Sequence, residues 1–278
     1  MTYSEFWRSL TAVYDAGEAQ AVARLVLEQR FGLSLADVLS GQMPDAAELR
    51  PLWERLLAGE PVQYVLGEAE FGGRKFLVTP DVLIPRPETY ELCQWVLGDG
   101  CSVMGDGCHI LDIGTGSGCI ACTLAAELPK AEATGWDISE AALRIAAENA
   151  KRTHVHVSFE QVDILHPSPT THHSSPITHI ISNPPYICRR EAADMAQHVL
   201  EHEPHQALFV PDDDPLLFYR AIGQIALRLL VPAGRLYFEI NPLYAEPLRQ
   251  LLCDQGFTAV SIREDQFGKQ RFIKAVRQ

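Results

Sequence analysis

The tetrapeptide Asn183-Pro184-Pro185-Tyr186 brings together residue types that can grip a planar NH2 group. Two successive prolines fix φ and carry no amide hydrogen, so the carbonyls of Asn183 and Pro184 stand as acceptors beside an amide side chain and an aromatic ring. A largely apolar run, Ile177 to Ser182, precedes them and reads as a buried parallel strand. The carboxyl end of such a strand is where an open α/β sheet holds its ligands. An ordinary loop is the plain alternative, because Asn-Pro and Pro-Pro mark turns wherever they occur.

A second constellation lies upstream. Asp112-Ile113-Gly114-Thr115-Gly116-Ser117-Gly118 closes one apolar run and opens a helical one. Alternating glycines permit a tight turn and let a ligand approach the backbone with no Cβ in the way. Asp137 ends the next strand-like run, roughly 20 residues beyond Gly114, where an acid can accept both hydroxyls of a ribose. Asp163, ending the third run, is placed to meet an adenine edge. A dinucleotide enzyme also has a glycine-rich turn with a downstream acid, but its third glycine follows two intervening residues, whereas here the glycines alternate strictly after an aspartate. No lysine follows the turn as in a triphosphate-binding loop. Glycines serving strand–helix packing alone are the plain alternative, and acids at two further strand ends weigh against it.

These groups need a scaffold to position them. From Cys108 onward the pattern alternates: strand 109–113, helix to about Leu128, strand 133–137, helix 140–151, strand 155–162. Such alternation predicts βαβ units and a parallel sheet. A polar, Pro- and Ser/Thr-rich stretch over 165–176 reads as a solvated loop. A helical region near 215–230, a turn at Pro232-Ala233-Gly234, the strand RLYFEI and a helix to about Asp254 follow. The last two strand-like runs meet at Phe267-Gly268 and must be antiparallel, since a tight turn cannot make a parallel crossover. Between Tyr3 and about Leu57 apolar residues recur at helical spacing, as in Phe6, Leu10 and Val13 or Leu49, Leu52 and Leu56, which predicts a small helical bundle. Ser34 and Pro44-Asp45 read as helix starts, Gly59 as a stop, and Gly72-Gly73 as a hairpin turn. The expected divisions are a helical bundle over 1–60, a hairpin connector over 61–85 and a catalytic domain over 86–278.

A chain of 278 residues with 47% hydrophobic content can bury a substantial core. Its formal charge of −13 disfavours any surface that must attract a phosphate backbone, so no direct nucleic-acid binding is expected, and a basic protein partner fits the field better. The absence of a basic stretch followed by an apolar segment near Met1, and of any run approaching the ~20 residues that span a bilayer, leads us to expect a cytoplasmic protein with no membrane association. Seven scattered cysteines suit buried thiols better than a disulfide framework.

The DIGTGSG turn, Asp137-Ile138-Ser139 and the NPPY tetrapeptide together resemble class I S-adenosylmethionine-dependent methyltransferases that modify a planar amine or amide. Further segments narrow the resemblance: Gly59-Glu60-Pro61-Val62-Gln63-Tyr64-Val65-Leu66-Gly67, Val82-Leu83-Ile84-Pro85-Arg86-Pro87-Glu88-Thr89, Glu203-Pro204 ahead of Ala207-Leu208, and Gly268-Lys269-Gln270-Arg271-Phe272. That set is similar to the HemK/PrmC family, protein-glutamine methyltransferases that act on peptide chain release factors, and it covers nearly the whole chain. It implies an α/β, Rossmann-like fold with a mostly parallel seven-stranded sheet, an antiparallel C-terminal strand and a small N-terminal helical domain that recognises the protein substrate. It implies S-adenosylmethionine as cofactor, bound by Gly114, Thr115, Gly116, Ser117, Gly118, Asp137, Asp163 and Asn183, with no metal. Asn183, Pro184, Pro185 and Tyr186 would bind a glutamine carboxamide; the Asn183 oxygen and the Pro184 carbonyl would each accept one hydrogen, and Tyr186 would stack on the flat amide. The resemblance implies a release factor as partner, and the enzyme is expected to be a monomer. Departures from the family pattern are Tyr90 after PET in place of an acid, Ile164 after Asp163 in place of an aromatic, and Asn241-Pro242 where a glycine and a glutamine are common. NPPY is shared with adenine-modifying enzymes, so an adenine-N6 methyltransferase on DNA or RNA is the alternative activity, and a non-catalytic scaffold the alternative class.

Other groups carry less. Cys119-Ile120-Ala121-Cys122 has redox spacing, yet its apolar neighbours favour packing thiols. His198, His202 and His205 fall at near-helical spacing without a carboxylate or cysteine pattern that completes a metal site. Arg86 and Glu88 read equally as hinge residues or as aids to placing the glutamine loop.

Overall fold

A computed structural model describes residues 1–100, 107–167 and 176–278. By contacts the chain divides into two compact units, Met1–Glu68 with Ala196–His202, and Ala69–Met195 with Glu203–Gln278. These bounds differ from the expected 1–60, 61–85 and 86–278: residues 61–68 fall with the helices and residues 69–85 with the sheet.

The first unit is helical, and its sequence supplies the caps. Helices α1 (Tyr3–Leu10), α2 (Ala16–Phe31), α3 (Leu35–Leu39), α4 (Ala46–Leu57) and α5 (Val62–Leu66) surround a core of Phe6, Leu10, Val26, Leu27 and Leu56. Thr2 and Glu5 form a capping box at α1, Ser34 and Asp37 another at α3, and Asp45 caps α4, so the orphan amides of each first turn find acceptors. Gly59 closes α4 at φ 80°, with Glu60 N donating to Arg55 O at 3.2 Å and Gly59 N to Leu56 O at 3.0 Å, a Schellman ending. Val13 lies beyond the end of α1 and is exposed, because the chain is already turning toward Asp15, which caps α2.

Strand β1 (Glu68–Phe71) starts on the last residue of the stretch Met1–Glu68 and continues into the second unit, where it pairs with β2 (Arg74–Leu77) across Gly72-Gly73 and α6 (Pro87–Asp99) follows. Then come β3 (Cys108–Ile113), α7 (Cys119–Glu127), β4 (Ala131–Asp137), α8 (Glu140–Arg152), β5 (Val157–Gln161), β6 (Ile177–Ser182) and the two-residue β7 (Ile187–Cys188). Helices α9 (Gln197–His202), in the helical unit, and α10 (His205–Leu208) precede β8 (Phe209–Val210), α11 (Leu217–Leu229), β9 (Leu230–Glu239), α12 (Ala245–Gln255), β10 (Thr258–Glu264) and β11 (Gln270–Val276). The seven-stranded sheet runs β10-β11-β9-β6-β3-β4-β5. Strands β9, β6, β3, β4 and β5 are parallel, and β11 is antiparallel to both of its neighbours.

Both sheet faces are covered, which is why the central strands read as continuous apolar runs. Alternate residues point to opposite cores: Leu111, Ile180, Leu236 and Phe238 pack with α11 and α12 residues such as Ile222 and Leu248, while Ile110, Ile181 and Tyr237 pack with α6 and α7 residues such as Leu92 and Leu124. After β3 the chain proceeds to β4 and β5 on one side, then returns to place β6 on the other, so the strand order reverses between β3 and β6. A crevice at the carboxyl ends of those two strands is the expected ligand position in such a sheet.

Among the described residues no helix is long and apolar enough to cross a membrane. Cys93, Cys119, Cys122 and Cys188 are free and buried, as expected, and Cys253 is free and exposed. Cys108, by contrast, is disulfide-bonded, counter to the reading of the cysteines as thiols. His172-His173 and most of the expected solvated loop lie outside the described residues.

Candidate active site

Backbone geometry builds the first half of the site. Gly114, Gly116 and Gly118 take φ values of 73°, 53° and 78°, the left-handed region that glycine enters without a Cβ clash. Gly114 N and Thr115 N both donate to Trp136 O, at 2.8 and 2.9 Å, which ties the turn to the end of β4. A Cβ on Gly118 would lie 3.0 Å from Ala146 Cβ, so the third glycine lets α8 approach, whereas a Cβ on Gly114 would meet nothing within 4 Å. The two glycines thus serve different ends, one packing and one open space.

Two acids brace this turn. Asp112, fully buried, accepts from Thr115 Oγ1 at 2.7 Å and from Ala121 N at 3.2 Å. Burial raises its pKa to about 7, against those two hydrogen bonds. Asp137 accepts from Gly116 N at 2.9 Å and from Ser139 N at 2.9 Å; burial pushes its pKa up while the backbone donors pull it down. A carboxylate has about four acceptor sites, so Asp137 keeps capacity for a hydroxyl beyond its backbone donors. Asp163 stands two residues past β5 rather than at its last residue, and accepts from Leu165 N at 2.9 Å and from His166 N at 3.3 Å.

The tetrapeptide leaves the end of β6, directly after Ser182, whose hydroxyl donates to Ile113 O at 2.6 Å and so fastens β6 to β3 beside the glycine turn. Asn183 Nδ2 donates to Thr89 Oγ1 at 3.2 Å. Thr89 Oγ1 donates in turn to Glu239 Oε2 at 2.6 Å, and Tyr186 OH to Glu239 Oε1 at 3.1 Å. Among the described residues nothing donates to Asn183 Oδ1 or to the Pro184 carbonyl, so both acceptors are open. Asn241 Nδ2 donates to Tyr186 O at 3.2 Å and to Glu191 Oε2 at 2.9 Å, which gives the departure from the family pattern a structural role in pinning the tetrapeptide.

One cavity of about 280 Å3 unites these parts. Gly114, Thr115, Gly116, Ser117, Asp137 and Asp163 line one portion of it. Asn183, Pro184 and Pro185 line another, with Thr89 and Arg86. Gly118 and Tyr186 are not on its wall: Gly118 is turned to α8, and the Tyr186 phenol is drawn to Glu239 one strand away. Ile164, one of the departures from the family pattern, lines the cavity, and Tyr90 packs edge-on against Phe71 with ring centroids 5.6 Å apart, covering Gly72.

Thr89 and Glu239 escaped the sequence reading. The available signal was a carboxylate inside the apolar strand RLYFEI, which a buried position does not tolerate without partners. Arg86 pairs with Glu203, whose side chain is fully buried and which also accepts from Ile84 N at 3.2 Å. Glu88 makes no comparable tie among the described residues. Cys119 reaches the cavity and Cys122 does not, and burial raises both thiols to about 12, which suits packing rather than redox exchange. Among the described residues no group of three or more His, Cys, Asp or Glu could hold a metal ion.

Comparison with known proteins agrees with this geometry. Residues 102–209 match the methyltransferase small domain and residues 7–67 the PrmC N-terminal domain. The fold is similar to that of a methyltransferase from Pyrococcus furiosus (TM-score 0.53, 15% identity, 83% of this chain and 98% of that one) and of the hMettl16 catalytic domain in complex with the MAT2A 3'UTR hairpin 6 (TM-score 0.56, 16% identity, 96% and 83%). The chain is 40% identical over 275 residues to the release factor glutamine methyltransferase of Bacteroides thetaiotaomicron, covering 97% of both. It is 39% identical over 278 residues to that of Flavobacterium psychrophilum, covering 98% of this chain and 96% of the relative. The fold, the paired motifs at the β3–β6 switch and these full-length relatives agree: the chain belongs to the release factor glutamine methyltransferase family.

Proposed function

We propose that this enzyme transfers a methyl group from S-adenosylmethionine to the side-chain amide nitrogen of the glutamine in the Gly-Gly-Gln loop of peptide chain release factors. The observation that carries the reading is the pair of open acceptors, Asn183 Oδ1 and the Pro184 carbonyl, in one cavity with the Gly114–Gly118 turn. The cofactor fits the residues present: Gly114 leaves open space beside the backbone, and Asp137 and Asp163 put carboxylates on the same wall. Asp137 would hold the ribose hydroxyls, Asp163 the adenine edge, and Gly114 to Ser117 the backbone contact, with Gly118 supporting the turn from behind. Bound there, S-adenosylmethionine supplies an electrophilic methyl group on a sulfonium centre.

The chain's own work is to prepare the acceptor. A carboxamide nitrogen shares its lone pair with the carbonyl, as a peptide nitrogen does, and is a poor nucleophile while conjugated. Asn183 Oδ1 and the Pro184 carbonyl each accept one NH2 hydrogen, which sets the plane of the amide and aims the lone pair at the methyl group. Pro185 stiffens the loop that holds these atoms, and Tyr186, off the cavity wall, anchors the end of the tetrapeptide through its hydroxyl bond to Glu239. Alignment of this kind is worth about 7–11 kcal/mol in favourable cases. The amide proton leaves after the new bond forms, because alkylation makes the nitrogen far more acidic, so no side chain has to act as a strong base. The helical unit is proposed to recognise the release factor, with the enzyme a cytoplasmic monomer that does not bind nucleic acid directly. An adenine acceptor draws on the same NPPY segment but gains nothing from the acidic charge of −13.

Mass spectrometry of a release factor incubated with enzyme and S-adenosylmethionine tests the reading. The expected product carries one added CH2 on the loop glutamine, and Asn183→Ala abolishes its formation while S-adenosylmethionine still binds in part. An unmodified loop glutamine with the parent enzyme contradicts the substrate assignment, and retained turnover in Asn183→Ala contradicts the role given to Asn183.

A further inference from the structure

We propose that Glu239 is a positioning residue for the transfer, which acts through Thr89 to fix which end of the Asn183 carboxamide faces the cavity. The inference rests on the methyl-transfer reading and extends it to a residue that touches neither substrate. A carboxylate accepts hydrogen bonds and donates none. Glu239, 2% exposed at the end of β9, uses one oxygen to accept from Thr89 Oγ1 at 2.6 Å and the other to accept from Tyr186 OH at 3.1 Å. The Thr89 hydroxyl has one hydrogen, and it is spent on Glu239. Its oxygen can then only accept, and what it accepts is Asn183 Nδ2, at 3.2 Å. The order of donors therefore runs one way, from Asn183 to Thr89 to Glu239, and leaves Oδ1 as the atom free to receive a hydrogen from the acceptor amide.

A group in the place of Glu239 that turns a donor toward Thr89, rather than toward Tyr186, breaks this direction. If it donates to Thr89, the hydroxyl hydrogen is released toward Asn183, whose oxygen then takes the internal bond while NH2 faces the cavity, where it repels another NH2. The surroundings of Glu239 make its charge a balanced matter. Burial pushes its pKa up; the Thr89 and Tyr186 hydroxyls and Arg271 pull it down; Glu88 pushes it up; and Tyr219 OH donates to its backbone carbonyl at 3.1 Å. A fold in need of packing alone has no use for an ion here, since burying a charge costs several kcal/mol. Protonation of Glu239 turns it into a donor, so turnover falls as pH drops through its raised pKa.

The test uses the full chain with Thr89→Val, Thr89→Ser and Glu239→Gln, a release factor as substrate, calorimetry for S-adenosylmethionine and 15N spectra of the Asn183 side-chain amide. Thr89→Val and Glu239→Gln are each expected to lower kcat about tenfold or more, the scale of one misdirected hydrogen bond, with cofactor affinity held within about threefold. Their combination should be no worse than the weaker single variant, because both cut the same relay. Thr89→Ser, which keeps the hydroxyl, recovers most of the loss, and Glu239→Gln loses the acid limb of the pH–kcat profile. Thr89→Val with parent kcat, or Thr89→Ser as impaired as Thr89→Val, overturns the inference. The Asn183 amide signals decide it without any substrate: they move in Thr89→Val if the relay holds the amide, and unmoved signals overturn the inference whatever the activity. A parent enzyme that leaves the release factor unmodified strikes the substrate assignment instead.

Discussion

Asp137 illustrates how much a single carboxylate carries here. Its two oxygens take the amides of Gly116 and Ser139, each at 2.9 Å, so it props the glycine turn and keeps lone pairs toward the cavity. Removing it should strike cofactor binding before chemistry: Asp137→Ala is expected to weaken S-adenosylmethionine binding by about tenfold to a hundredfold, the loss of one or two charge-assisted hydrogen bonds. Calorimetry on the purified variant checks this, and an unchanged affinity would remove Asp137 from the site. At this scale the sequence was legible where chemistry is local. The glycine turn, Asp137 and NPPY each declare themselves within a few residues. Thr89 and Glu239 do not, because their bonds span 94 residues to Asn183 and 150 residues to one another, and no spacing rule reaches that far. Tyr186 has a type that suits stacking on an amide, and the partner of its hydroxyl, a buried carboxylate on the neighbouring strand, lies 53 residues away in sequence.

Elements were readable in proportion to their burial. Strand β6 matches the apolar run Ile177–Ser182 residue for residue, since every position in it is buried and it is bounded by Pro176 and by Asn183-Pro184. Strand β9 starts at Leu230, before the Pro-Ala-Gly turn expected to open it, as Leu230 already pairs with Ile177 and the register shifts across that turn. Strand β5 is shorter than expected because its outer position in the sheet leaves it half-exposed, with weak pattern at both ends. The turn between β3 and α7 offers a direct comparison of two glycines. Gly118→Ala adds a Cβ 3.0 Å from Ala146 Cβ and 3.2 Å from its Cα at φ 78°. A destabilisation of about 2–4 kcal/mol is expected from the sum of overpacking and left-handed strain. Gly114→Ala meets nothing within 4 Å and should cost about 1–2 kcal/mol of strain alone, yet obstruct the cofactor. Urea denaturation with calorimetry on both variants separates these effects; equal losses of stability would show that the approach of α8 is not what Gly118 serves.

For the molecule as a whole, the sheet order places two loops side by side that sequence separates by a βαβαβ excursion. The reversal between β3 and β6 is the physical reason that Gly114 and Asn183 share a cavity. Alternation of strands and helices made the parallel sheet legible, and the Phe267-Gly268 turn foretold the antiparallel end. The division into units was less so, for residues 61–68 have short helical and hairpin signals with no composition shift to mark an edge. The most direct measurement of the central claim is a crystal structure of the enzyme with S-adenosylhomocysteine and a Gly-Gly-Gln peptide. The cofactor product is expected against the Gly114–Ser117 turn, with the glutamine NH2 within hydrogen-bond distance of Asn183 Oδ1 and the Pro184 carbonyl on the side facing the sulfur. A cofactor bound away from that turn, or a glutamine held by other atoms with the tetrapeptide turned aside, would contradict it.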